Sequence, residues 1–233
     1  GLAAIDELLV HRAGQSFCQP CHSPVWDTAI SLGALLEAGL PCTDPAARTT
    51  IDWLLRQQIM VQSDWSLKAP CVEPGGWAFQ FENALYPDVD DTPMVVMSLL
   101  RAGACSSADN RERIIRAAQW VIGMQSSDGG WGSFDIDNNR QYLNHIPFAD
   151  HGALLDPSTA DVTARCIEML SMLGCSSDFP AVARGLTFLK RSQERWGGWY
   201  GRWGVNYIYR TWSVLSALRQ AGEDAGQQYI RYA

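Results

Sequence analysis

The chain has 233 residues, 47% of them hydrophobic, enough to bury a sizeable core as one domain or as one large piece of a bigger one. A net charge of −7 and a pI near 5.0 leave no clustered Lys and Arg for a sequence-independent phosphate-binding surface, so nucleic acid is not an expected partner. No apolar run approaches the roughly 20 residues that span a bilayer, and Gly1-Leu2-Ala3-Ala4 lacks a Met, a basic n-region and a cleavage site.

Taken in chain order, the first residues read as the inside of a helix, and 227–233 read as the start of another without its end. The expectation is a fragment. Seven cysteines, at 18, 21, 42, 71, 105, 166 and 175, form an odd set that suits reduced, buried thiols in a cytosolic compartment better than a disulfide framework. Cys18-Gln19-Pro20-Cys21-His22 matches a c-type haem attachment pattern, but that needs an oxidising compartment. As a zinc site it has no fourth ligand nearby. Neither reading is adopted.

Four helices follow from one spacing: Thr28 and Gly39, Thr92 and Gly103, Thr163 and Gly174, and Thr211 and Gly222 are each eleven residues apart. Between each pair lie mostly apolar helix formers, and the Gly falls where helices stop on a left-handed residue. After the first three comes a more amphipathic helix ending at Gln58, Gln125 or Gln193, spaced 67 and 68 residues apart. Copies two and three continue with Gly129 and Trp131 and with Gly197 and Trp199, while copy one is degenerate, reaching Trp65 after a longer gap. A Gln can bond backbone groups at a helix end, the Trp packs over the neighbouring turn, and the Gly permits close approach. Such helix pairs predict an all-α fold, an α/α toroid with inner helices around a cavity and outer helices facing solvent. The whole of 1–233 is expected to be one incomplete α/α-barrel region, lacking an N-terminal part and a C-terminal end.

Between these helices lies Asp88-Val89-Asp90-Asp91. An Asp-rich turn before a helix is ordinarily a solvated cap. In an apolar cavity, three carboxyl groups cannot all ionise cheaply, and like-charge repulsion with desolvation raises at least one pKa. Asp135-Ile136-Asp137 opens like a calcium loop, but Arg140 and Ile146 stand where Gly and Glu are required, so no metal is expected.

The Gln-x3-Gly-x-Trp repeats resemble the QW motifs of the squalene–hopene and oxidosqualene cyclase family. The resemblance extends to SPVWDT (23–28), PGGWAFQFENALYPDVDDT (74–92), GWGSFDIDN (130–138), NHIPFADHG (144–152), DVTAR (161–165) and GRWGVNYIY (201–209). It runs from about residue 23 to the C-terminus. The Asp-Val-Asp-Asp form is similar to the squalene–hopene branch, and class II diterpene cyclases are the runner-up.

This resemblance implies an isomerase without cofactor that protonates squalene and releases hopene with some hopanol. Asp90 would be the donor, with Asp88 and Asp91 orienting it. Arg165 stands where the best-known members carry a histidine that contacts the acid, and Asp161, one turn earlier, is placed to hold Arg165. Trp26, Phe79, Phe134, Phe148, Trp203 and Tyr209 would line the cavity and stabilise cations by cation–π attraction, each worth about 1–2 kcal/mol in a dry site. Phe134 and His151 depart from the usual Tyr and Phe. Squalene comes from the bilayer, so the complete enzyme is expected on the cytoplasmic face of the membrane as a peripheral protein, with a homodimer also compatible. Two alternatives stay open: a cyclase for another polyene, epoxidised or a diterpene diphosphate, and a non-catalytic toroid that binds carbohydrate with exposed Trp.

Overall fold

The computed structural model describes residues 6, 8–19, 22–80, 83, 85–146, 154–204 and 206–233, apart from the side chains of 141 and 144. Its helices are α1 (Pro24–Glu37), α2 (Pro45–Arg56), α3 (Asp91–Arg101), α4 (Ala108–Gly123), α5 (Ala160–Met172), α6 (Pro180–Ser192), α7 (Ile208–Gln220) and α8 (Gln228–Tyr232). The inner helices α1, α3, α5 and α7 pack side by side in chain order, and α2, α4 and α6 each pack outside the inner helix that precedes them. The all-α double layer is the predicted one.

Patterning explains the layers. Along α2 the buried residues Ala47, Ile51, Leu54 and Leu55 form one stripe, as do Ala181, Val182, Gly185, Leu186 and Leu189 along α6, the signature of helices with one wet face. Helix α5 is buried at every residue from Ala160 to Ile167, as an inner wall requires. Start signals are local: Pro45 opens α2 and Asp44 accepts from the Ala46 N–H at 2.8 Å. All four predicted stop glycines have positive φ, from +69° to +98°. No described helix is long and apolar enough to cross a membrane.

The Gln and Trp braces join each helix pair to the next. Gln125 Nε2 donates to the Gly129 carbonyl (2.8 Å) and to Ala181 O on α6 (2.9 Å), while Trp131 Nε1 donates to Val121 O (2.7 Å). Gln193 repeats this with Gly197 O and Tyr229 O, and Trp199 with Leu189 O. The backbone N–H of each Trp donates to a threonine at the start of the next inner helix, Thr163 or Thr211. The spaced threonines are thus part of the joint. A Cβ on Gly129 would stand 2.8 Å from the Arg184 carbonyl, which explains the glycine there.

Three expectations need correction. Gln58 donates to Gly75 O and Arg113 O, but its tryptophan is Trp77, not Trp65: Trp77 Nε1 donates to Leu54 O and its backbone N–H to Thr92. Trp65 is instead a core residue packed edge-on to Trp120. The start of the chain is not helical throughout, because Leu9–Arg12 and Gln15–Cys18 form an antiparallel hairpin. Its two-residue turn, Ala13-Gly14, has positive φ at both positions, the geometry that suits twisted strands. The cysteines are not uniformly buried either: Cys18, Cys42 and Cys71 are exposed, and only Cys166 among those described is fully enclosed. Cys21 lies outside the described residues.

Candidate active site

The acid triplet sits at the N-terminal rim of the inner layer, and the first brace builds it. Trp77 O accepts the Asp88 N–H at 2.7 Å, Thr92 Oγ donates to Asp88 O at 2.7 Å, and Ser133 O accepts the Val89 N–H at 2.8 Å. Thr92 therefore serves the joint and the acid turn at once. The Asp90 N–H donates to Asp88 Oδ1 at 2.6 Å, and Asp90 occupies the N-cap of α3. Asp88, Asp90 and Asp91 are 6%, 7% and 1% exposed, so the solvated-cap alternative does not describe this turn.

Burial sets the chemistry. It lifts Asp88 well above the ordinary carboxylate range, aided by Asp91 and Asp90. Asp91 is pushed up to about 8, by burial first and by Asp90 next. Burial also raises Asp90, opposed by the Arg165 guanidinium. The triplet therefore keeps a proton at neutral pH. Asp91 Oδ1 is enclosed without a hydrogen-bond partner among the described residues.

Arg165, buried in the second turn of α5, forms an ion pair and hydrogen bond with Asp90 Oδ1. Its Nη2 donates to the Tyr209 hydroxyl at 3.1 Å, and its Cζ lies 4.9 Å from the Trp26 ring centre and 5.7 Å from that of Tyr209. Burial works against the cation, but Asp90, Tyr209 and Asp161 together outweigh it and raise the Arg165 pKa. Asp161 favours the Arg165 cation through its charge, but its direct ion pair is elsewhere. Its Oδ2 faces Arg210 Nη1 at 2.8 Å, because α7 packs against α5 and delivers a second guanidinium there. The bonds of Arg165 go to Asp90 and Tyr209.

The predicted aromatic residues fall into two groups. Trp26 and Tyr209 flank Arg165, and Phe134 meets Trp203 edge-on with ring centres 6.4 Å apart. Trp203 Nε1 donates to Ser133 Oγ at 2.5 Å. Phe79 is half-buried and has no ring contact with either group among the described residues. Phe148 and His151 lie outside the described residues. A cavity of about 320 Å³ runs from Arg165 and Tyr209 between the inner helices towards Glu37 and Arg101. Among the described residues no cluster of three or more His, Cys, Asp or Glu could hold a metal ion.

Sequence reasoning missed Arg210 and Asp156. Asp156 accepts the backbone N–H groups of Ser133, Phe134 and Asp135 at 3.0, 2.5 and 2.8 Å, and burial raises its pKa against those bonds. It shapes the turn whose Ser133 supports both Val89 and Trp203. Neither residue belongs to a repeating pattern, so only the fold shows what it meets. The first brace did carry a signal: Gly75-Gly76-Trp77 matches Gly129-Gly130-Trp131 and Gly197-Gly198-Trp199.

Residues 22–233 match the family model described as the squalene-hopene cyclase C-terminal domain. A probable squalene–hopene cyclase of Sinorhizobium fredii is 52% identical over 99% of this chain, which covers 36% of that protein. The squalene–hopene cyclase of Alicyclobacillus acidocaldarius is 45% identical over 86% of the chain and 32% of that protein. The chain thus spans about a third of the length of the curated relatives it matches. The type II terpene cyclase MstE from Scytonema, in its apo structure, superposes with a TM-score of 0.58 over 89% of this chain and 52% of that one at 22% identity, a likeness of fold.

Proposed function

Since this chain belongs to the squalene–hopene cyclase family, we propose that it is the acid-bearing part of a triterpene cyclase that converts squalene into hopene and some hopanol. The observation that carries this reading is the buried carboxyl triplet with Asp90 held against Arg165 beneath aromatic faces. An alkene is a poor base, so its protonation needs a carboxylic acid kept neutral and a dry site in which the resulting cation meets no nucleophile. Asp90, in its protonated form, gives its proton to the terminal double bond, and the Arg165 cation stabilises the carboxylate left behind. The cation then moves along the folded chain past π faces such as Trp26, Tyr209, Phe134 and Trp203, and loss of a proton or capture of water ends the reaction.

The relatives named as squalene–hopene cyclases support squalene as the polyene. A substrate this apolar is drawn from a bilayer, which supports a peripheral membrane protein on the cytoplasmic face, attached through parts outside this chain. Incubating the full-length parent with squalene in detergent and identifying products by mass spectrometry tests the proposal. Pentacyclic hopene is the expected product. Unchanged squalene alongside turnover of an epoxide or a diterpene diphosphate would replace it with another polyene cyclase.

A further inference from the structure

Arg210 has no role in the chemistry described above, yet it is 0% exposed. Its Nη1 lies 2.8 Å from Asp161 Oδ2, and Asp161 is also 0% exposed. The 201–204 turn is fitted around the side chain. A Cβ on Gly201 would strike Cγ, Cδ and Nε of Arg210, and one on Gly204, at φ +132°, would stand 2.7 Å from Nη2. The same Asp161 Oδ2 accepts the Trp203 backbone N–H at 3.3 Å. The Trp203 indole donates to Ser133 Oγ, and Ser133 O holds Val89, the residue before Asp90.

Charge gives this arrangement its consequence. Asp161 stands one helical turn before Arg165, so an unpaired Asp161 would compete with Asp90 for that guanidinium. Stranding one member of a buried ion pair is costly, and the stranded charge recruits whatever counter-charge is near. With Arg210 on Asp161, Arg165 turns to Asp90 and Tyr209.

We infer that Arg210 is a positioning residue of the acid site: by occupying Asp161 it leaves Arg165 to Asp90, and by filling the 201–204 turn it sets the indole of Trp203. It acts through Asp161 and Arg165 and touches no reacting atom. The inference rests on the reading of this site as a proton-donating cyclase centre.

The test compares the full-length parent with Arg210→Met, Arg210→Lys and the double variant Arg210→Met/Asp161→Asn, using squalene in detergent. Arg210→Met should lower kcat by about 30-fold or more with KM within about threefold, because the loss lies in the chemical step. Arg210→Lys, which keeps the charge, should recover part of that loss. The double variant should exceed Arg210→Met by about tenfold, since no lone carboxylate remains to draw Arg165 away. A double variant no better than Arg210→Met, an Arg210→Met protein equal to wild type, or failure of both single variants to fold would overturn the inference and leave Arg210 a structural staple at most. A crystal structure of Arg210→Met decides independently of substrate: Arg165 turned from Asp90 to Asp161 supports the inference, and Arg165 unmoved on Asp90 overturns it. Absence of any cyclised product from the wild type counts against the proposed function and leaves that structural readout in force.

Discussion

The joints between helix pairs and the acid rim use opposite electrostatics. At a joint the buried polar groups are neutral and paired, and the charge that meets them comes from an exposed arginine: Gln125 bonds two carbonyls with Nε2 and accepts from Arg184 with Oε1, and Trp131 uses both its N–H groups. At the rim the groups are ionisable and only partly satisfied. Asp91 Oδ1, Asp161 Oδ1 and the Arg210 nitrogens are enclosed without hydrogen bonds among the described residues, the Arg210–Asp161 contact being an ion pair alone. Neutral, satisfied joints stabilise a scaffold, while the rim holds a raised free energy that a proton donor requires. Thr92 belongs to both regions, which is how the rigid joint fixes the costly turn.

Substitutions on the two sides should separate these roles. Asp90→Asn keeps the shape and removes the donated proton, so turnover of the full-length parent should fall by about 10³-fold or more with the circular dichroism spectrum unchanged. Near-normal turnover would remove Asp90 from the donor role. On the joint side, Trp131→Ala should cost about 3–5 kcal/mol of stability, read as a lower urea midpoint. Turnover per folded molecule should hold at temperatures where the variant is intact, and a silent Trp131→Ala would sink the brace.

The rim also makes a pH prediction. Asp91 is raised from 3.8 to about 8, so between those values the folded protein holds a proton that the unfolded chain has released. Stability should therefore fall as pH rises from about 4 to about 8, by about 1.4 kcal/mol per pH unit for each retained proton, and level off above that range. Urea midpoints across this range should show one proton's worth less slope in Asp91→Asn, and an identical slope in both proteins would contradict the shift. The smallest effect expected is at Gly39, where φ is +98° and a Cβ would meet open space. Gly39→Ala should cost only about 1 kcal/mol of backbone strain. Gly129→Ala, which would also meet the Arg184 carbonyl, should cost more in the same urea titration.

What could be read in the sequence followed the range of each interaction. The stop glycines are set by local backbone geometry, and the second and third braces by a four-residue spacing, so both were legible. Trp77 was obscured by the 59–74 insertion, which put Trp65 in view first. Asp161 was assigned to Arg165 because a helix places residues i and i+4 together. The stronger claim came from α7, through a contact between residues 49 positions apart. Asp156 was hidden for the same reason, since its partners at 133–135 are joined to it only by the fold. Tyr209 was legible as an aromatic wall, but its hydroxyl contact with Arg165 was not.

In the proposed function a buried carboxylic acid starts the reaction by handing a proton to an alkene. Carrying out the squalene reaction in D2O and weighing the product tests it most directly, because the acid exchanges with solvent between turnovers. Hopene should carry one deuterium, fixed at the end of the chain where cyclisation begins, and Asp90→Asn should form none. Hopene without deuterium at that position, or deuterated hopene formed at the normal rate by Asp90→Asn, would contradict the account.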